Sequence, residues 1–429
     1  MVANSEKVMV SVRRRTFQER IGPGLAVAFF VLSFTRPQDW ISSLSRVPMA
    51  RIAAVLAVLA LLFSFRQIRW PLPRNATYLL LLMGQLFATV PMSPVWPGGA
   101  FQTSLEFGRV VALFIAIVSF VTTMKRLRRL ILIQCSSVVA FSAVTVWNAR
   151  LKTGRLASAL GSDYSSNPND LALGLVTVFP VCLALVFLSR SVLGKTVWAL
   201  GVLLMMYAVF LTGSRGGFLS LVVASAVCLW EFAIRGHRRY ILLLAALAAV
   251  ILWQSASSTL IARLKGTFDP SEEIESAYSS AQQREALFWR SVEVTEEHPL
   301  FGVGPGNFPV LSGNWHVTHN AFTQMSSEGG LPALLLYLLF VWSGFRNVHI
   351  TKRLARGRQE PTVMARALVA GLMGYLVGAC FASSAYEYPY VLVAYTTALV
   401  WIVKRSVYRS KEVESTEIPS EVPLVCHLC

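Results

Sequence analysis

Acidic residues are scarce in this chain, 22 Asp and Glu against 39 Lys and Arg, and charge of either sign makes up only 14% of its 429 residues. Beside 55% hydrophobic residues and a mean hydropathy of +0.55, that sparseness excludes an ordinary soluble domain. Cysteine is scarce too. Cys135, Cys182, Cys228 and Cys380 fall inside apolar runs, where cysteine behaves as a small hydrophobe, so no disulfide framework is expected. Cys426 and Cys429 form a C-x-x-C in "CHLC", but a second pair to complete a zinc site is missing, and the segment reads as a solvated tail. There is no Walker motif, no G-x-S-x-G and no paired aspartates for a divalent metal. "GVGPG" at 302–306 lacks the third glycine of a dinucleotide fingerprint and reads as a turn. No repeat of fixed period is visible, which weakens a transporter reading.

What is present is apolar sequence in lengths that span a bilayer. Twelve spans are expected, near 21–36, 50–65, 76–92, 105–123, 130–148, 170–189, 195–212, 216–234, 240–256, 328–345, 366–385 and 389–403. The first follows a basic head, "SVRRRTFQER", without a small-x-small cleavage site, so it reads as a retained anchor. The fold class expected is therefore an all-α polytopic membrane protein with about 12 transmembrane helices. A net charge of +17 would suggest nucleic acid in a soluble protein. Here 27 of the 39 Lys and Arg lie in the head, in alternate loops and in the tail, and every loop on that side carries at least two. The positive-inside rule then places both termini on the cytoplasmic side of a membrane, with the bilayer and not nucleic acid as partner.

On this topology residues 1–20 form a cytoplasmic head, 21–405 the membrane domain and 406–429 a cytoplasmic tail. Two outer segments are long, 149–170 and 257–327, and a long loop is commonly functional. Within the larger, "SAQQREALFWRSVEVTEEH" at 280–298 reads as an amphipathic helix with Ala281, Phe288 and Val292 on one face, stopped by Pro299. "PLFGVGPGNFPVL" follows with enforced turns, and "THNAFTQMSSEGGLPALLLYLLF" leads into the next span.

Outward cations are the first candidates for chemistry. Arg215, in "VFLTGSRGGFLSL", sits at the outer end of two spans with two glycines after it, which would let the backbone turn and approach a ligand. Arginine presents a planar fork of donors suited to phosphate oxygens, although a snorkelling side chain also accounts for the position. Arg284 and Arg290 lie six apart and so face different sides of their helix, one of them structural. Arg109 follows Glu106 at i, i+3, so an ion pair explains it as well as a ligand does. Arg36 lies near the first outer turn. His319, before Asn320 at the mouth of a span, could take a proton from a hydroxyl as neutral imidazole. His316, three residues earlier, raises a metal reading, but H-x-x-H lacks a third ligand at standard spacing, and neither metal nor cofactor is expected. Asp170 and Asn169 in "NPNDLALG" read first as a helix cap, with Asn169 a possible sugar contact. Glu328 is the first carboxylate after His319.

These pieces resemble the O-antigen ligase and O-antigen polymerase superfamily of bacterial envelope proteins. The matching features are "TGSRGG" between two spans, "NPNDLA" opening another, "REALFW…HPLFGVGPGNF" in the large outer loop and "HNAFTQMSSEGGL" entering the next span. They cover roughly 150 to 405, and "FTRPQDW" at 34–40 is suggestive of one branch. The resemblance implies a GT-C-like membrane glycosyltransferase of lipopolysaccharide biosynthesis. Such an enzyme takes a glycan from an undecaprenyl-diphosphate carrier on the periplasmic face and joins it to an acceptor hydroxyl on lipid A core, another glycan or a protein. It also implies that Arg215 and Arg284 bind the diphosphate and that His319 is the base, with Arg109, Asn169, Arg290, His316, Asn320 and Glu328 as further possible substrate contacts. A polymerase using a second lipid-linked glycan is the alternative, and a transporter or flippase the rival from another class.

Overall fold

Apolar sequence that must satisfy its own backbone hydrogen bonds forms helices, and the described residues contain helices and turns but no strand. The computed structural model describes residues 17–35, 47, 49–63, 72–149, 156, 167–254, 261, 275–313, 315–355 and 357–416. Outside them lie Arg36, most of the 149–170 segment and the tail with Cys426 and Cys429. The helices are α1 (Phe17–Thr35), α2 (Met49–Phe63), α3 (Arg74–Thr89), α4 (Pro97–Phe120), α5 (Met124–Ala149), α6 (Pro168–Leu188), α7 (Val192–Leu211) and α8 (Arg215–Cys228). After a π-helical turn, Leu229–Ile234, come α9 (Tyr240–Gln254), α10 (Glu275–Glu297), α11 (Phe308–Leu311), α12 (Ala321–Leu354), α13 (Gln359–Ala379) and α14 (Tyr390–Thr416).

Each of the twelve expected spans coincides with one of these helices. Among the described residues nine helical stretches are long and apolar enough to cross a membrane, and Gly24–Thr35 and Tyr240–Ile251 are shorter apolar ones. The chain is an all-helical polytopic membrane protein. The eleventh expected span runs too far. Its helix, α13, ends at Ala379, and 380–389 form a turn whose apolar residues keep hydropathy high although the Ser383 hydroxyl bonds back to Thr318 and His319.

Glycine sets the packing that positions the site. On α13 a side chain at Gly374 would lie 2.8 Å from both Ala224 and Val176, and one at Gly378 would lie 2.4 Å from Leu173. Without side chains there, α6 and α8 come against one face of α13, the close approach that small residues allow between membrane helices. That contact brings the N-termini of α6 and α8 to the C-terminal end of α13.

The large loop is built onto a break in α12. Gly330 has a positive φ of 79°, and Pro332 follows, so the helix is interrupted. The turn before α11 takes up the freed carbonyls: Val303 N–H donates to Ser327 O and Gly304 N–H to Glu328 O, each at 2.9 Å, with Leu331 N–H returning to Pro299 O at 2.8 Å. Gly302, also at positive φ, lies so near this break that a Cβ would stand 2.5 Å from the Glu328 backbone.

The buried stripe of α10 differs from the expected one. Leu287, Ser291 and Val294 face inward, while Ala281, Phe288 and Val292 are half-buried. Leu287 and Val294 join Val303 and Phe308 in a small core of their own, and Ser291 occupies an inward position by donating to Phe288 O at 2.6 Å. Hydrophobicity alone selects Phe288 over Ser291, which shifts the face by one residue.

Candidate active site

Three helices begin at the same end of the bundle, each with a side-chain cap. Asn167 caps α6 through Asn169 N–H, Ser214 caps α8 through Gly217 N–H, and Asn320 caps α12 through Phe322 and Thr323 N–H at 2.9 and 3.1 Å. Caps and helix starts are joined to each other. The Ser214 hydroxyl donates to the Asn169 side chain at 2.7 Å, tying α8 to α6. The Asn320 amide reaches the Cys380 carbonyl at 3.5 Å, tying α12 to the turn after α13. Helix N-termini present the positive ends of their dipoles, which favour an anion at such an end.

Arg215 is the first residue of α8, half-buried. The turn before it is made at Gly213, φ 59°, and not by the glycines after it. Gly216 and Gly217 are packing positions in the first helical turn. Side chains there would stand 2.5 Å from Phe381 and 2.4 Å from Ala172. Arg215 is thereby fixed between α6 and the turn after α13.

His319 is reached from the other side of the same turn. Its φ is 53°, the left-handed region, which histidine enters more readily than most residues but at a cost. The backbone N–H donates to Ser383 Oγ at 2.7 Å, and that hydroxyl also bonds the Thr318 hydroxyl at 3.1 Å. Burial pushes the imidazole from 6.5 down to about 4, with the Arg284 guanidinium and His316 lowering it further in that order. The imidazole is thereby biased toward its neutral form, which is able to accept a proton. Arg284 is close enough to act electrostatically on both His319 and Asp170, in the first turn of α6. Arg284, Asp170, Asn169, Ser214, Arg215, Phe381, Ser383 and His319 thus form one continuous neighbourhood.

The other candidates divide clearly. Arg290 forms ion pairs with Glu293 at 3.1 Å and Glu297 at 3.4 Å, and its Nε donates to Leu311 O at 3.2 Å, so it braces α10 against α11. Arg109 pairs with Glu106 at 3.3 Å on α4. His316 is exposed and lies in electrostatic range of His319, and among the described residues the two are joined by no third metal-ligand type. Glu328, 2% exposed, accepts from Tyr386 Oη at 2.7 Å, from backbone N–H groups of Gly306 and Phe308 and from Gln324. Gln324 in turn accepts from Ala385 N–H at 3.2 Å. Glu328 knits the loop, α12 and the 384–386 segment together.

Residues 200–338 match the family model described as O-antigen ligase. That stretch is similar to an O-antigen ligase domain. The match contains Arg215, Arg284 and His319, and supports a membrane glycan enzyme of the O-antigen ligase and polymerase type. No curated protein matches. Four members of the neighbourhood, Asp170, Ser214, Phe381 and Ser383, escape sequence reasoning as site residues. Ser383 lies inside an apolar run and shows itself only through its bond to His319. Asp170 could have been raised from cap to site residue by its adjacency to Asn169, had α6 been known to start beside Arg284.

Proposed function

We propose that the chain joins a glycan from an undecaprenyl-diphosphate carrier to an acceptor hydroxyl on the periplasmic face of the bacterial inner membrane, by a base-assisted inverting transfer that uses neither metal nor cofactor. The observation that carries this reading is a half-buried His319 in electrostatic range of Arg284, at the end where three helix N-termini and Arg215 come together. The Lys and Arg bias of the opposite-side loops supports placing that end outside and both termini in the cytoplasm.

Arg215 and Arg284 hold the diphosphate and balance the charge that grows on it as the bond breaks. The acceptor oxygen attacks the anomeric carbon from the face opposite the diphosphate. As the new carbon–oxygen bond forms, the hydroxyl proton passes to the imidazole, and the carbon–oxygen bond to the diphosphate breaks. The diphosphate leaves as an anion and needs no acid, and His319 later returns its proton to solvent. Such base assistance contributes about 10²- to 10⁴-fold.

The test is release of undecaprenyl diphosphate from a lipid-linked glycan by detergent-purified protein. Release that requires an added lipid A core, glycan or protein acceptor supports ligation. Release with the lipid-linked glycan alone, yielding longer carrier-bound chains, gives the polymerase. Glycan moved across vesicles with the carrier bond intact would replace transfer with transport.

A further inference from the structure

At the end of the bundle opposite His319, three cations contact one carboxylate and a fourth stands beside them. Glu231 lies in the π-helical turn that ends α8, an insertion that often marks a functional position, and its side chain is only 7% exposed. Lys352 Nζ, from the last turn of α12, lies 2.8 Å from its Oε1, and Arg235 Nη1 lies 3.2 Å from the same oxygen. Arg366, from α13, approaches Oε2 at 3.8 Å, and its Nη2 donates to the Arg235 carbonyl at a long 3.4 Å. Arg238 stacks over the Phe187 ring at 4.6 Å and stands in electrostatic range of Arg366.

Among the described residues Glu231 is the one carboxylate in ion-pair contact with this group. Its Oε1 is taken by Lys352 and Arg235, so Arg366 is held only at long range and Arg238 by a ring face. Cations this close repel one another, Lys352 and Arg366 most because they are three-quarters buried, and a single carboxylate leaves most of the group's charge uncompensated. The unfilled role is that of a second anion. The surface beside the cluster is apolar: Trp230, Ile234 and Tyr240 are each about half exposed, at 50%, 49% and 57%, and Arg235 lies over the Trp230 ring. A free phosphate ion would not use such a flank, whereas an acyl chain would.

We propose that Arg235, Arg238 and Arg366 form a second anion site, which holds the phosphate of an acidic phospholipid headgroup between the ends of α8, α12 and α13. The lipid would bridge three helices whose other ends carry the transfer site, and basic pockets between membrane helices suit such headgroups. This site is independent of the transfer reading, and its test needs no glycan.

The full-length protein in detergent is titrated with short-chain phosphatidylglycerol, phosphatidylcholine or inorganic phosphate, and its thermal midpoint is followed. Phosphatidylglycerol is expected to raise the midpoint saturably, and the other two to leave it within error. Arg238→Gln leaves every Glu231 pair in place, and should raise the half-saturating phosphatidylglycerol concentration by about fivefold. Arg366→Gln should do the same with Glu231 still paired to Lys352 and Arg235. Arg129→Gln, which removes an exposed charge from α5, should leave the titration parental. A phosphatidylcholine response equal to that of phosphatidylglycerol, or parental titrations in both cluster variants, would overturn the site. An equal response to inorganic phosphate would overturn the lipid as its ligand.

Discussion

The backbone N–H of His319 donates to the Ser383 hydroxyl at 2.7 Å, so the turn after α13 holds the backbone of the candidate base in a left-handed conformation. Ser383 acts through His319 and is a positioning residue. Ser383→Ala should lower kcat roughly tenfold, the scale of one lost hydrogen bond, with little change in the KM for the carrier. Ser383→Thr keeps the hydroxyl and should recover most of it. In a His319→Ala background, Ser383→Ala should have no further effect, and an independent loss there would show that Ser383 acts on something else.

The two arginines of α10 should separate by function. Arg284→Gln is expected to weaken carrier binding strongly, on the order of 2 to 5 kcal/mol for a desolvated charge contact. Arg290→Gln loses partly exposed ion pairs with Glu293 and Glu297, so its cost should be about 1 kcal/mol or less of stability, with binding retained. Titration of both variants with a lipid diphosphate checks this, and equal binding losses would erase the distinction.

Why those two arginines differ was half legible in the chain. Their spacing of six put them on different sides of a helix, and the "TGSRGG" and "HNAFTQMSSEGGL" stretches drew attention to Arg215 and His319. Helix number was legible because hydropathy over a span is a sum that survives small errors of boundary. The partners of each candidate were not. Ser383 stands 64 residues from His319, and its role comes from where α13 stops. Glu328 reads from sequence as a carboxylate near a site, yet it binds Tyr386 and two loop amides, contacts that depend on the break at Gly330. The stripe of α10 is not legible in hydropathy, because a serine can occupy an inward position when it satisfies itself.

Gly216 tests the packing that holds Arg215. Gly216→Ala places a methyl group 2.5 Å from Phe381 and should displace the turn that carries Ser383. A destabilisation of about 1–3 kcal/mol is expected, together with a loss of transfer. Gly84→Ala on α3 meets nothing within 4 Å and should be neutral or stabilising. Thermal midpoints of the pair decide the point, and a neutral Gly216→Ala would mean that this contact does not fix the turn.

The pH profile follows from the sign of the His319 shift. A base pushed from 6.5 to about 4 stays neutral as pH falls through 6.5, so kcat/KM should hold there and decline only as pH nears about 4. Bound diphosphate adds negative charge that draws the imidazole back up, so kcat should decline at a higher pH than kcat/KM. A kcat/KM profile that halves near 6.5 would show an imidazole open to water and away from Arg284.

Transfer by His319→Ala, measured at equal membrane levels beside its affinity for the lipid-linked glycan, tests the assignment of the base most directly. The expected result is carrier binding near the parental value, because Arg215 and Arg284 remain, with transfer lower by about 10²-fold or more and parental product inverted at the anomeric carbon. Transfer within a few-fold of the parent, or product that retains the configuration, would contradict a single displacement assisted by His319.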